Sequence, residues 1–188
     1  MTGSEYAFLT RWWMQASALE VYDVIADGES LPRWWPSVYL DVRTLELGSE
    51  LGTGRVTAVH TKGFLPYTLR WSFRVTEAVR PVRIALDAVG DFVGRGVWSF
   101  AENGGGTAIH LDWRLRAEKP LLRRLAFLLR PVFSANHRWA MARGEESLRL
   151  GLRRRRAGTE EERALIAAPP GPTFPSPGWW RPQRRSRR

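Results

Sequence analysis

Two repeat lengths divide this chain. From about residue 39 to residue 117 apolar and polar positions alternate with a period of two, and from residue 119 the apolar positions recur every three to four residues. The clearest strand is "YTLRWSFRVTEAV", where Leu69, Trp71, Phe73 and Val75 point one way and Thr68, Arg70, Ser72 and Arg74 the other. One buried face and one wet face is the signature of an antiparallel sheet. "YLDVRTLEL", "RVTAVHT" and "VRIALDAVGD" repeat the scheme. "GRGVWSFAENGGGTAIHLDWRLRAE" reads as a hairpin turning at Asn103-Gly104-Gly105-Gly106, with Ile109, Leu111, Trp113 and Leu115 facing inward.

Ahead of these strands, "YAFLTRWWMQA" (6–16) predicts a first strand. Ser17 and Glu20 then stand at capping-box spacing before a helical run of Ala18, Val21, Tyr22 and Ile25, and Gly28 marks its end. A helix over about 18–27 follows from that pattern. "SLPRWWPSVYL" (30–40) comes next, a stiff bend with two tryptophans between Pro32 and Pro36. Adjacent side chains diverge, so one tryptophan is expected to plug the core and the other, Trp35, to form the rim of a pocket. The last periodic segment carries Leu122, Leu125, Leu129, Phe133, His137, Ala140, Met141, Leu148 and Leu152 on one stripe. It predicts a helix of about 35 residues that Pro131 kinks or divides. A curved sheet with a concave apolar face needs a cover, and only this helix is long enough. The architecture expected is α+β.

Composition sharpens the picture in three places. Hydrophobic residues make up 44% of the 188, with ten tryptophans, which is enough for a core in one domain. The chain has no cysteine, so disulfides, thiolate metal sites and cysteine nucleophiles are excluded together. Residues 149–188 hold eleven arginines against three glutamates, so the net charge of +10 belongs mainly to the C-terminal end. Residues 1–153 are expected to form the domain. Residues 154–188 are expected to be an Arg/Pro-rich disordered tail, with a short helix capped by Thr159 and Glu162 as the one element possible in it. Neither a signal peptide nor a membrane span is legible, and the chain reads as soluble and cytoplasmic.

The order of elements resembles the helix-grip fold of the START-like (SRPBCC) superfamily, in its polyketide cyclase/dehydrase and lipid-transport branch. "SALEVYDVIADGESLPRWWPSV", "KGFLPYTLRWSFRV", "GGGTAIHLDWRLRAEKPLLRRL" and "PVFSANHRWAMARGEESLRLGL" carry the likeness, over about residues 5–153. The resemblance implies about seven antiparallel strands wrapped around the long C-terminal helix, with two short helices after the first strand. It also implies a cavity between sheet and helix for an apolar or aromatic small molecule such as a lipid or polyketide. Leu69, Trp71, Phe73, Trp98, Phe100 and Trp113 would supply the sheet wall, and Phe133, His137 and Met141 the helix wall. The same aromatics would serve equally to fill a solid core.

His137 is the polar residue on the apolar stripe, either a core histidine held by a carbonyl or aromatic neighbour, or a group that orients a ligand oxygen or acts as acid/base. His60 and His110 lack metal-site spacing, no nucleophile–base pair stands out, and no cofactor is implied. Enzymatic activity of the cyclase/dehydrase type rests on the resemblance alone. The hairpin tips "GFLPY", with Phe64 and Leu65, and "DFVG", with Phe92, are apolar where polar turns are ordinary. They either form a cavity mouth or fold back onto the terminal helix. Arg153–Arg156, Arg184, Arg185, Arg187 and Arg188, with Trp179 and Trp180, offer a rival role in nucleic-acid or anionic-membrane binding. The oligomeric state is not legible.

Overall fold

The computed structural model describes residues 5–117 and 120–173, with the backbone alone at residues 5, 117 and 120–129. Strand β1 (Glu5–Met14) leads to helix α1 (Ala18–Ala26), a 3-10 turn over Gly28–Ser30 and the short helix α2 (Leu31–Trp34). Six strands follow: β2 (Tyr39–Glu46), β3 (Val56–Lys62), β4 (Thr68–Val79), β5 (Arg83–Gly90), β6 (Phe92–Asn103) and β7 (Gly106–Ala117). Helix α3 (Pro120–Arg156) and the short α4 (Glu160–Leu165) complete the described chain. This is the expected α+β helix-grip architecture.

Each local element traces to its residues. Ser17 Oγ accepts the Glu20 amide while the Glu20 carboxylate accepts the Ser17 amide, so the capping box is closed in both directions. Gly104 and Gly105 both have positive φ between the paired residues Asn103 and Gly106, the geometry of a two-residue hairpin loop that follows the strand twist. The seven strands run β1-β7-β6-β5-β4-β3-β2, every neighbouring pair antiparallel. Register shifts at Val75/Glu77 and in β2 bend the sheet, as bulges do.

Strand β1 shows the inward–outward alternation sharply: Trp12 is 5% exposed and its neighbour Trp13 is 44% exposed. Inward side chains from β1, β3, β4, β5, β6 and β7 meet α1, α2 and α3 in one core. Helix α3 runs through Pro131 as one helix of 37 residues, so the proline does not divide it. The side chains of Leu122, Leu125 and Leu129 lie outside the described residues.

Helix α3 is held against the tryptophan bend by its small residues. A Cβ added to Gly144 would overlap the indole ring of Trp35, so only glycine lets helix and ring approach this closely. One and two turns further on, Ser147 is buried and Gly151 lies over the Cβ of Trp34. The bend that looked like a connector is α2 and its exit, packed into a notch on α3. Both tryptophans are buried, at 5% for Trp34 and 2% for Trp35. The expected division into plug and rim is corrected: both side chains are buried, and both residues, not Trp35 alone, line the space between sheet and helix.

Past residue 153 the described chain continues as helix, and the short helix expected at Thr159 is present. Arg153–Arg156 are the last turn of α3, and Thr159 caps α4 through its hydroxyl on the Glu162 amide. Arg154 Nη1 donates to the carbonyls of Arg163 and Ile166, and Arg156 pairs with Glu20 on α1. Trp179, Trp180 and the arginines from Arg184 on lie outside the described residues.

Candidate functional site

A cavity of about 250 Å³ lies between the concave sheet face and α3, close to the small end of the range for ligand pockets. Leu69, Trp71 and Phe73 of β4 line it, with Trp98 of β6, Trp113 of β7 and Phe8 of β1. Helix α3 contributes Phe133, Asn136, His137, Ala140 and Met141. Leu31, Trp34, Trp35 and Val38 line it from the α2 side. The lining is mostly apolar, and alternation along the strands places it.

Burial varies along the lining. Phe73 is buried, but Trp71, Trp98, Trp113, Phe133 and Met141 are only half-buried although all lie on the inner walls. Large inward rings stay half-open when the space in front of them is unfilled. Trp71, Phe92 and Trp113 form a cluster, with ring centroids 5.0 Å apart for Trp71–Phe92 and 5.9 Å for Trp71–Trp113. The Trp71 indole N–H donates to the Thr61 hydroxyl at 3.0 Å, which satisfies it within the wall.

His137 stacks on Phe8 at 4.0 Å between centroids with an interplanar angle of 16°. Burial, helped by the neighbouring charge of Arg138, pushes its pKa down to about 4, so the imidazole is neutral near pH 7. Its Nε2 is buried with no hydrogen-bond partner, and so is Nε1 of Trp35. Trp34 Nε1 is likewise buried and unpartnered. Unpaired buried polar atoms cost about 1–3 kcal/mol each, and three of them on residues of one apolar cavity are unusual. Beside His137 on α3, Asn136 Oδ1 accepts the amides of Phe64 at 2.9 Å and Leu65 at 3.4 Å, pinning the β3–β4 loop to the helix. Burial pushes the phenols of Tyr39 and Tyr67 up, so both stay protonated donors at neutral pH.

Nine of the expected residues line the cavity: Trp35, Leu69, Trp71, Phe73, Trp98, Trp113, Phe133, His137 and Met141. Phe64 and Phe100 do not. The Phe64 tip folds back, its ring edge-on to Trp139 at 6.2 Å, because the Asn136 contacts draw the loop onto α3. Phe100 sits two residues beyond Trp98 on the inner face, where α1 covers the sheet, and packs on Tyr22 at 5.6 Å. The other apolar tip behaves differently, and Phe92 lines the cavity. Tyr6, Phe8, Trp34, Tyr39, Tyr67 and Asn136 were not anticipated as lining. The alternation in "YAFLTRWWM" would have indicated Tyr6 and Phe8. Nothing local distinguishes Asn136 from an ordinary polar helix position. His110 is exposed, as its outward position predicts.

Among the described residues no group of three or more His, Asp or Glu is placed to hold a metal ion. No described helix is long and apolar enough to cross a membrane.

A seven-stranded antiparallel sheet gripping a long C-terminal helix defines the helix-grip class of folds. Residues 14–149 match the family described as polyketide cyclase/dehydrase and lipid transport, and the chain belongs to that family. Among solved structures it is similar to a protein from Thermus thermophilus, at 21% identity and a TM-score of 0.61, covering 85% of this chain and 97% of that one. It is also similar to the Zhui aromatase/cyclase from Streptomyces sp. R1128, at 17% identity and a TM-score of 0.63, covering 82% and 97%. The di-domain ARO/CYC BexL of the BE-7585A biosynthetic pathway is similar at 15% identity and a TM-score of 0.60, covering 78% of this chain and 50% of that one. At these identities the likeness concerns the fold. No curated protein matches in sequence.

Proposed function

We propose that this protein binds and carries an apolar or aromatic small molecule, a lipid or polyketide in class, in the cavity between sheet and α3. The observation that carries this reading is the half-burial of Trp71, Trp98 and Trp113 on the inner wall. Fully covering an exposed large side chain contributes about 1.5–3 kcal/mol. Roughly half of that remains to be gained at each half-buried ring, so a guest spanning several of them gains a few kcal/mol. The unpaired His137 Nε2 and Trp35 Nε1 favour a guest with at least one oxygen. We place this activity in the cytoplasm.

Native mass spectrometry of freshly purified protein tests for a retained molecule, and tryptophan fluorescence titration with a flat polycyclic phenol and a long-chain fatty acid tests the class. Saturable one-to-one binding is expected. His137→Phe should weaken the oxygenated probes by about tenfold and leave a hydrocarbon of the same shape unaffected. No retained molecule together with no saturable titration would overturn the proposal.

A second reading follows from the same histidine. A polyketide aromatase/cyclase would use neutral His137 to take a proton from carbon flanked by two carbonyls. Two structures of similar fold, the Zhui aromatase/cyclase and the di-domain ARO/CYC BexL, support it. Turnover of a poly-β-ketone that disappears in His137→Phe would select this reading over simple binding.

A further inference from the structure

A second hollow lies outside the aromatic cavity. It measures about 230 Å³ and is lined by Ser30, Arg33 and Trp34 on one side and Gly151, Arg154 and Arg155 on the other, with Pro169 also on its wall. Helix α2 and the last turns of α3, far apart in sequence, thus bring three guanidinium groups to one concave place. An arginine run at a helix C-terminus would by itself only complement the helix dipole. Here the run divides by partner.

Arg156 is committed to Glu20 through two hydrogen bonds of 2.8 Å, and Arg163 to Glu160 at 2.8 Å. The nearby acids are similarly engaged, Glu162 by the Gly158 amide and Glu29 by the Thr44 hydroxyl. Arg33, Arg154 and Arg155 remain around the hollow. Arg154 uses Nη1 on two carbonyls, at 3.1 Å and 2.6 Å, which fix the side chain without offsetting its charge. Arg155 makes no hydrogen bond or ion pair among the described residues. Arg33 has only Asp27, at 3.9 Å with both side chains well exposed, a contact worth little.

We propose that this hollow is an oxyanion site for a phosphate group, contacted by Arg33 and Arg155 and backed by the fixed charge of Arg154. Planar guanidinium forks match tetrahedral oxyanions with paired N–H bonds, and a pre-fixed arginine reduces the ordering cost of binding. The hollow is separated from the aromatic cavity by a shared wall, because Trp34 lines both. The site does not depend on what the cavity holds.

The test is isothermal titration of the full chain, at constant low chloride, with inorganic phosphate and with methyl phosphate. One saturable site is expected. Arginines beyond residue 173 also attract anions, so the decisive comparison is between variants. Arg33→Gln/Arg155→Gln should weaken binding by about tenfold or more, whereas Arg143→Gln, which breaks an ion pair elsewhere on α3, should not. Tighter binding of methyl phosphate assigns the group to a phosphorylated organic molecule, and tighter binding of inorganic phosphate to the free ion. In a nitrogen–proton spectrum the indole N–H signal of Trp34 should move on phosphate addition and that of Trp13 should not. Equal affinity in wild type and the double variant, or an unmoved Trp34 signal at saturation, would overturn the site.

Discussion

Two glycines on one face of α3 should respond oppositely to the same substitution. Gly144 and Gly151 are both interior to the helix, where alanine is favoured over glycine by about 1 kcal/mol. At Gly151 an added Cβ would come no closer than 3.6 Å to Trp34 Cβ, an ordinary contact, so Gly151→Ala should stabilise by up to about 1 kcal/mol. At Gly144 the same carbon would overlap three ring atoms of Trp35, a side chain only 2% exposed and packed between Trp12, Trp34 and Tyr39. Overpacking of that kind costs about 1–3 kcal/mol, which exceeds the propensity gain over most of its range. Gly144→Ala should therefore destabilise by up to about 2 kcal/mol. Gly144→Val, with a larger branched side chain, should destabilise more. Thermal melts followed by circular dichroism read the difference, at about 2–4 °C per kcal/mol for a chain of this size. If both alanine variants raise the melting temperature, the ring is free to retreat and the notch does not set the position of α2.

Three further outcomes are expected. His137 is held neutral, with its folded pKa lowered from 6.5 to about 4, so the unfolded chain binds more protons between those values. Its contribution is complete above about pH 6.5 and is lost as the pH falls toward 4; denaturant titrations across that window should show wild type losing up to about 3 kcal/mol relative to His137→Phe. A flat difference would contradict burial of the imidazole. Asn136→Ala leaves the Phe64 and Leu65 amides without their acceptor, so their hydrogen exchange should accelerate while that of β7 is unchanged. Ser17→Ala opens the capping box and should cost about 1 kcal/mol in chemical denaturation.

Much of the fold was legible because period and cap are local properties. The alternation in "YTLRWSFRV", the Ser17–Glu20 spacing and the glycine pair at 104–105 each fix backbone geometry within a few residues. The end of α3 falls within a few residues of the expected length, but what holds it there was not legible. It depends on Arg154 reaching the carbonyls of Arg163 and Ile166 and on Arg156 reaching Glu20, 136 residues away. A run of arginines is compositionally indistinguishable from a solvated tail until such partners are placed.

The site was legible as a face but not as a depth. Period two assigns Trp98 and Phe100 equally to the inner surface, yet α1 covers Phe100 and leaves Trp98 open to the cavity. The same limit governs Trp34 and Trp35. Adjacency requires their side chains to leave the chain in different directions, but what each then meets is decided by α3, more than a hundred residues later. Gly144 admits the Trp35 ring, and Gly151 leaves room over Trp34. Had those helix positions been large, the rings would have been displaced, and one of them would have become the rim that the local pattern suggested. Depth along the inner face is therefore encoded in the small residues of the covering helix. The same rings give the cavity its wall on the α2 side, so the notch on α3 and the shape of the binding space are a single structural feature.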